Sequence, residues 1–158
     1  MGAWDVGPFD NDSAADWCGD LEDTPAEHRT DLVRNTLLFA INCNEYLDVD
    51  DGSAAIAAAA IVAAHLPGQP QITSPYAPDF LTAGGSIEIT EDMVSLAIRA
   101  LDRVSGDDSE WAALWQDANT GSSAFSAIRD VRSILATAES HSRLLEDDPL
   151  PIFRPHDR

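Results

Sequence analysis

The chain has 158 residues, 44% of them hydrophobic and 23% charged. That is the range of a single globular domain with one core, and not that of a disordered segment. Its nine basic residues are all arginines and face 28 acids, for a net charge of −19. Phosphate neutralisation needs a basic surface that so few arginines do not supply, so a DNA- or RNA-binding domain is all but excluded, and the same sign argument speaks against an anionic membrane surface.

The first 23 residues carry seven acids and no base, so they do not form a basic-then-apolar secretory leader, and a cytoplasmic protein is expected. The longest apolar run, residues 54–66 with His65 inside it, is too short to cross a bilayer and is mostly alanine. Cys18 and Cys43 stand apart, form no CxxC pair, and read as free thiols packed on helices in a reducing compartment.

In chain order, Gly2, Gly7 and Pro8 punctuate Trp4 and Phe9, which predicts an irregular N-terminal arm held by aromatic anchors. Asn11, Asp12 or Ser13 then caps a short helix carrying Ala14, Trp17, Cys18 and Leu21 and ending near Glu22. Thr24-Pro25-Ala26-Glu27 has the form of a capping box with proline at the first helical position. From there Val33, Leu37, Ala40, Ile41, Asn44 and Leu47, widened by Leu32 and Phe39, predict a helix of about five turns. Asp48, Asp50, Asp51 and Ser53 punctuate the chain before a central helix over 54–66, apolar on every face.

Residues 67–85 hold four prolines and three glycines and predict a long loop anchored by Tyr76, Phe80 and Leu81. After a short extended piece over 86–89, Thr90 caps a helix with Val94, Ala97, Ile98, Leu101 and Val104 on its apolar face. A fifth helix carries Trp111, Leu114, Trp115 and Ala118, and a sixth runs from about Ser123 to near Leu144. Pro149, Pro151 and Pro155 stop any continuation. The expected architecture is all-α: a single-domain bundle of about six helices over 1–139, followed by a Pro-rich acidic tail over 140–158.

The opening Met1-Gly2-Ala3-Trp4-Asp5-Val6-Gly7-Pro8-Phe9, continuing to Trp17, resembles the start of a bacterial family catalogued as domain of unknown function 4259. Tyr46-Leu47, the alanine-rich helix with Ala57 to Val62, and Asp108-Ser109-Glu110 with Leu114-Trp115 follow in that family's order, over residues 1 to about 138. The resemblance implies a small helical protein and assigns it no chemistry. Phe125 stands about where the family pattern leads one to expect a tryptophan.

Several constellations admit a bland and a sharp reading. Trp4, Phe9 and Trp17, set among Gly2, Gly7, Asp12 and Asp16, either staple the N-terminal arm to the core or line an aromatic pocket with acidic walls. Asp12, Asp16 and Asp20 make an acidic stripe on one helix face, which a solvated surface explains better than a cation site does. Aligning Gly52 with the glycine of a calcium loop puts Leu47, Val49 and Ala58 at ligand positions, so turn and cap chemistry is preferred there. Glu88 and Glu91 have ExxE spacing, and with Glu110 and Asp117 would form the magnesium site of a hydrolase acting on a phosphorylated metabolite. Trp111 and Trp115 share a helix face as core or as contact anchors. No nucleophile motif, phosphate loop or metal-binding motif is present.

The sequence therefore favours a non-catalytic module, without cofactor or metal, that engages a basic partner protein as an inhibitor or immunity factor would. Its candidate contact residues are Trp4, Phe9, Asp12, Asp16, Trp17, Glu110 and Trp115. The metal-dependent hydrolase is the competing expectation.

Overall fold

The computed structural model describes residues 7–147, with side chains described to residue 142. It is all-α: α1 (Asp12–Asp23), a 3-10 turn (Ala26–His28), α2 (Arg29–Asn42), α3 (Val49–Ala64), α4 (Asp79–Thr82), α5 (Glu91–Ser105), α6 (Glu110–Gln116) and α7 (Gly121–Asp147). No strand pairs with another among the described residues.

The axis of the bundle is α3, which packs against α1, α2, α5, α6 and α7. From Gly52 to Ala63 every residue except Ala54 is buried. Alanine makes this possible, because small side chains let several helices approach one rod closely. The helix begins five residues earlier than the apolar run predicts. Asp48 caps it by accepting the Asp51 amide at 2.9 Å, and Asp50 and Asp51 in the first turn suit its positive end. Gly52 is interior helix, not turn: a β-carbon there would stand 3.3 Å from Val104 Cγ1 and 3.5 Å from Trp111 Cβ.

Three further expectations change. Thr24 does not close a capping box; its hydroxyl donates to the Asp20 carbonyl and so finishes α1, while α2 begins through the 3-10 turn. The second long helix stops at Asn42, so Asn44 and Leu47 leave it, and Phe39 faces outward at 58% exposure although Val33, Leu37 and Ala40 are buried. The last helix, expected to end near Leu144, runs to Asp147.

The long connection over 67–85 contains α4 and is tied down. The Arg29 guanidinium lies 3.9 Å from the Phe80 ring centroid and donates to the Leu21 and Glu22 carbonyls, and the Glu22 carboxylate accepts the Phe80 amide. Trp111 meets Phe125 edge-on at 5.1 Å, which seats α6 on α7. The turn between them needs glycine at 121, where a β-carbon would fall 1.8 Å from the Trp115 carbonyl oxygen.

Candidate functional site

Two surfaces stand at opposite ends of α3, about 24 Å apart by helical rise.

At its N-terminal end, the loop before α3 and the loop between α5 and α6 are stitched together. The Leu47 amide donates to the Asp108 carbonyl and the Glu110 amide to the Leu47 carbonyl, both at 2.8 Å, in an isolated parallel bridge between Leu47 and Ser109. The buried Ser109 hydroxyl donates to the Val104 carbonyl and accepts the Ala112 amide, capping α6. Glu110 reaches across to accept the Val49 amide at 2.8 Å, so a side chain of α6 caps α3. Arg103 completes the joint, donating to the carbonyls of Cys43, Glu45, Asp107 and Asp108. Asp108 sits in the left-handed region at φ 57°, a conformation aspartate tolerates better than most residues.

This rigid frame displays carboxylates. Glu45, Asp48, Asp50, Asp107 and Asp108 are exposed around Tyr46, itself 58% exposed. The N-terminus of α1 joins them, since the Ser13 hydroxyl donates to Asp50. The Asp51 carboxyl is raised above its ordinary value, first by partial burial and then by the charges of Asp48 and Asp50. The one arginine in this joint points its guanidinium at backbone carbonyls and leaves the carboxylates facing solvent.

At the C-terminal end of α3 lies an open cleft of about 860 Å³ between the end of α3, the first turn of α5 and residues 134–142 of α7. Leu66, Ile89, Val94 and Ile134 supply apolar surface, and Glu91, Asp92 and Glu139 supply carboxylates. His65 holds its lip. Nδ1 lies 2.7 Å from the Ile61 carbonyl and Nε2 accepts the Ile87 amide at 3.0 Å, which assigns the ring hydrogen to Nδ1. Opposite, Arg34 donates to both oxygens of Asp92 and to Thr90, drawing the Asp92 carboxyl below its ordinary value.

The expected contact residues are dispersed among these features. Trp4 lies outside the described residues. Phe9 and Trp17 are buried, with the Trp17 indole donating to Thr36 at 2.9 Å, while Asp12 and Asp16 are exposed on α1. Trp115 is half-buried, 6.2 Å from Trp111, and the two indoles close a crevice of about 20 Å³ with Gly7, Pro8 and Asn11 of the arm. That volume holds about one water. The two motifs quoted for the resemblance, roughly a hundred residues apart in sequence, thus meet at one joint. The magnesium quartet does not assemble: Glu110 caps α3 at one end, Glu91 lines the cleft at the other, and Asp117 is the C-cap of α6. Among the described residues no group of three His, Cys, Asp or Glu is placed to hold a metal ion. Burial pushes the Cys18 thiol up to about 12, away from thiolate chemistry. No helix among the described residues is long and apolar enough to cross a membrane.

Sequence reasoning missed the Arg103 clamp, the bridge at Leu47 and the His65 latch. Each depends on which carbonyl or amide arrives from a distant segment, and residue spacing carries no trace of that. The chain matches the family model described as domain of unknown function (DUF4259) over residues 2–127, and it belongs to that family. Comparison with curated proteins and with solved structures returns no match.

Proposed function

We propose that this family member is a non-catalytic binding module that engages a cationic protein partner, as an inhibitor or immunity factor does, through the carboxylate-rich end of its bundle. The observation that carries the reading is the stitched joint of residues 43–51 and 106–110. It holds Glu45, Asp48, Asp50, Asp107 and Asp108 on a fixed backbone around an exposed Tyr46. A prearranged acidic rim speeds encounter with a basic surface, and a central tyrosine supplies amphipathic contact area at small entropic cost. Asp12 at the start of α1 extends the same rim. The reading sets the protein in the cytoplasm, where its two free thiols stay reduced.

The test is capture from a native lysate at low salt with the wild-type chain and with the triple variant Tyr46→Ser, Asp50→Asn, Asp107→Asn. A basic protein held stoichiometrically by the wild type, released by salt and lost from the variant, is the expected result. Recovery of no stoichiometric partner, or of one the variant holds equally well, overturns the reading.

A further inference from the structure

Independently of the acidic end, we propose that the cleft beside His65 is a binding site for a small organic cation with an aliphatic body, a linear polyamine. Its volume of about 860 Å³ is that of a small-ligand pocket. Three elements wall it, and they agree on what it would hold. Leu66 after α3, Ile89 and Val94 around the start of α5, and Ile134 of α7 give half-buried aliphatic surface. Glu91 on the α5 wall and Glu139 on the α7 wall add a carboxylate each, and the described side chains lining the cleft include no arginine. Ammonium groups at the carboxylates, with methylenes laid over the aliphatic residues, are what a polyamine supplies and a compact inorganic cation does not.

The electrostatics of the cleft have one sign. The 16-residue α3 ends there, so the cleft meets the negative end of that helix. The positive end of α5 meets it too, but this is worth only about half a charge, and Glu91 and Asp92 in the first turn exceed it. Asp92 is held by Arg34 and Thr90, whereas Glu91 forms no ion pair with a described residue. A concave site with apolar walls and one sign of charge raises the local concentration of counter-ions, and the net charge of −19 adds to the field. The same field repels an anion. The walls are also fixed in advance. His65 ties the end of α3 to the Ile87 amide, and Arg34 ties α2 to the first turn of α5, so little ordering remains to be done when a ligand arrives.

The experiment titrates the full chain with spermidine at physiological salt and follows it by methyl NMR. The resonances of Ile89, Val94 and Ile134 are expected to move along one saturable curve, while those of Leu47 at the acidic end and Ile61 in the core stay. Glu91→Gln should weaken the fitted affinity about three- to fivefold, the scale of one partly exposed charge pair. Glu27→Gln removes an equal charge from an exposed turn and should leave the affinity unchanged. Ile134→Ser should weaken it as well, which a purely ionic contact would not show. Shifts that never saturate, that are as large at Leu47, or that magnesium chloride reproduces at equal ionic strength overturn the proposal. So does a Glu27→Gln variant that loses as much affinity as Glu91→Gln. Saturable movement of the cleft methyls with an arginine tripeptide but not with spermidine would assign the cleft to a protein side chain, and overturns the small-ligand assignment too.

Discussion

The two ends of α3 are built by opposite means. At the N-terminal end, two loops share backbone hydrogen bonds, a side chain of one helix caps another, and Arg103 satisfies four carbonyls at once. At the C-terminal end, one imidazole bridges Ile61 and Ile87, and beside it the helices part to leave a cleft of about 860 Å³. Redundant bonds fix a surface, which suits a rim of charges that must not relax together. There the ties are side chains, His65 to Ile61 and Ile87 and Arg34 to Asp92 and Thr90, and they leave open the surface between them.

The largest expected effect comes from breaking the redundant end. Arg103→Met keeps the side chain's bulk but removes the donor to four carbonyls, and should cost about 2–3 kcal/mol, the scale of hydrogen bonds to a charged group, because one guanidinium ties three segments together although most of its bonds face solvent. Urea titration should show a lower midpoint with an unchanged slope. If Arg103→Met leaves the midpoint where it was, the joint is held by its backbone bridge alone. The same variant should weaken capture of the basic partner although it deletes no carboxylate.

The His65 tie is next. His65→Ala removes both the acceptor of the Ile87 amide and the donor to Ile61, and Ile87 is a buried residue, so the cost should be about 1–2 kcal/mol. The distinguishing sign is its confinement: amide exchange should quicken at Ile87 and the start of α5 and stay unchanged at Leu47 and Glu110. Exchange that quickens equally at both ends would mean that the two regions open as one.

What the sequence revealed follows the same division. Periodicity found the helices, because the apolar faces of Val33, Leu37 and Ala40 or of Ala97, Ile98, Leu101 and Val104 are one-dimensional signals that burial enforces locally. Capping was legible where the cap lies beside its own helix, as Asn11 does in accepting the Ala14 amide at 2.8 Å. It misled where a distant group competes. Thr90 stands at the N-cap of α5, but its hydroxyl is taken by Arg34 and Asp92; Glu110 spends its carboxylate on α3; Leu47 looked like one more helical position and is a bridge to Ser109. The candidate contact residues were chosen as a motif of aromatics and acids. Its aromatics Phe9 and Trp17 went to the core, while the exposed aromatic among acids is Tyr46, which fell inside a predicted helix and was quoted only for the resemblance.

The smallest effect separates the two ends by the sign of their pH dependence. Asp51, at the acidic rim, has its carboxyl raised by partial burial and by Asp48 and Asp50, so its ionised form is less comfortable folded than unfolded. On raising the pH from acid, the unfolded chain releases this proton first, at the ordinary carboxylate value, and the folded chain releases it later. Stability is lost across that window and stays lower above it. Asp92, at the cleft, is lowered by Arg34 and Thr90, so its contribution is present above the ordinary value and disappears as pH falls through the folded one. Asp51→Asn should therefore raise stability near neutral pH by roughly 0.3 kcal/mol at low salt, the scale of like-charge neighbours on a helix, and the gain should vanish in acid and shrink with added salt. Asp92→Asn should lower stability near neutral pH by less than about 1 kcal/mol, because the Arg34 pair is solvent-exposed on its carboxylate side, and that loss too should vanish in acid. Urea midpoints of the two variants against wild type, taken from pH 7 down to 3, should converge on wild type from opposite sides. Two curves on the same side would show that the strain at the rim is not electrostatic, and would remove the reason for treating that end as a poised field of negative charge.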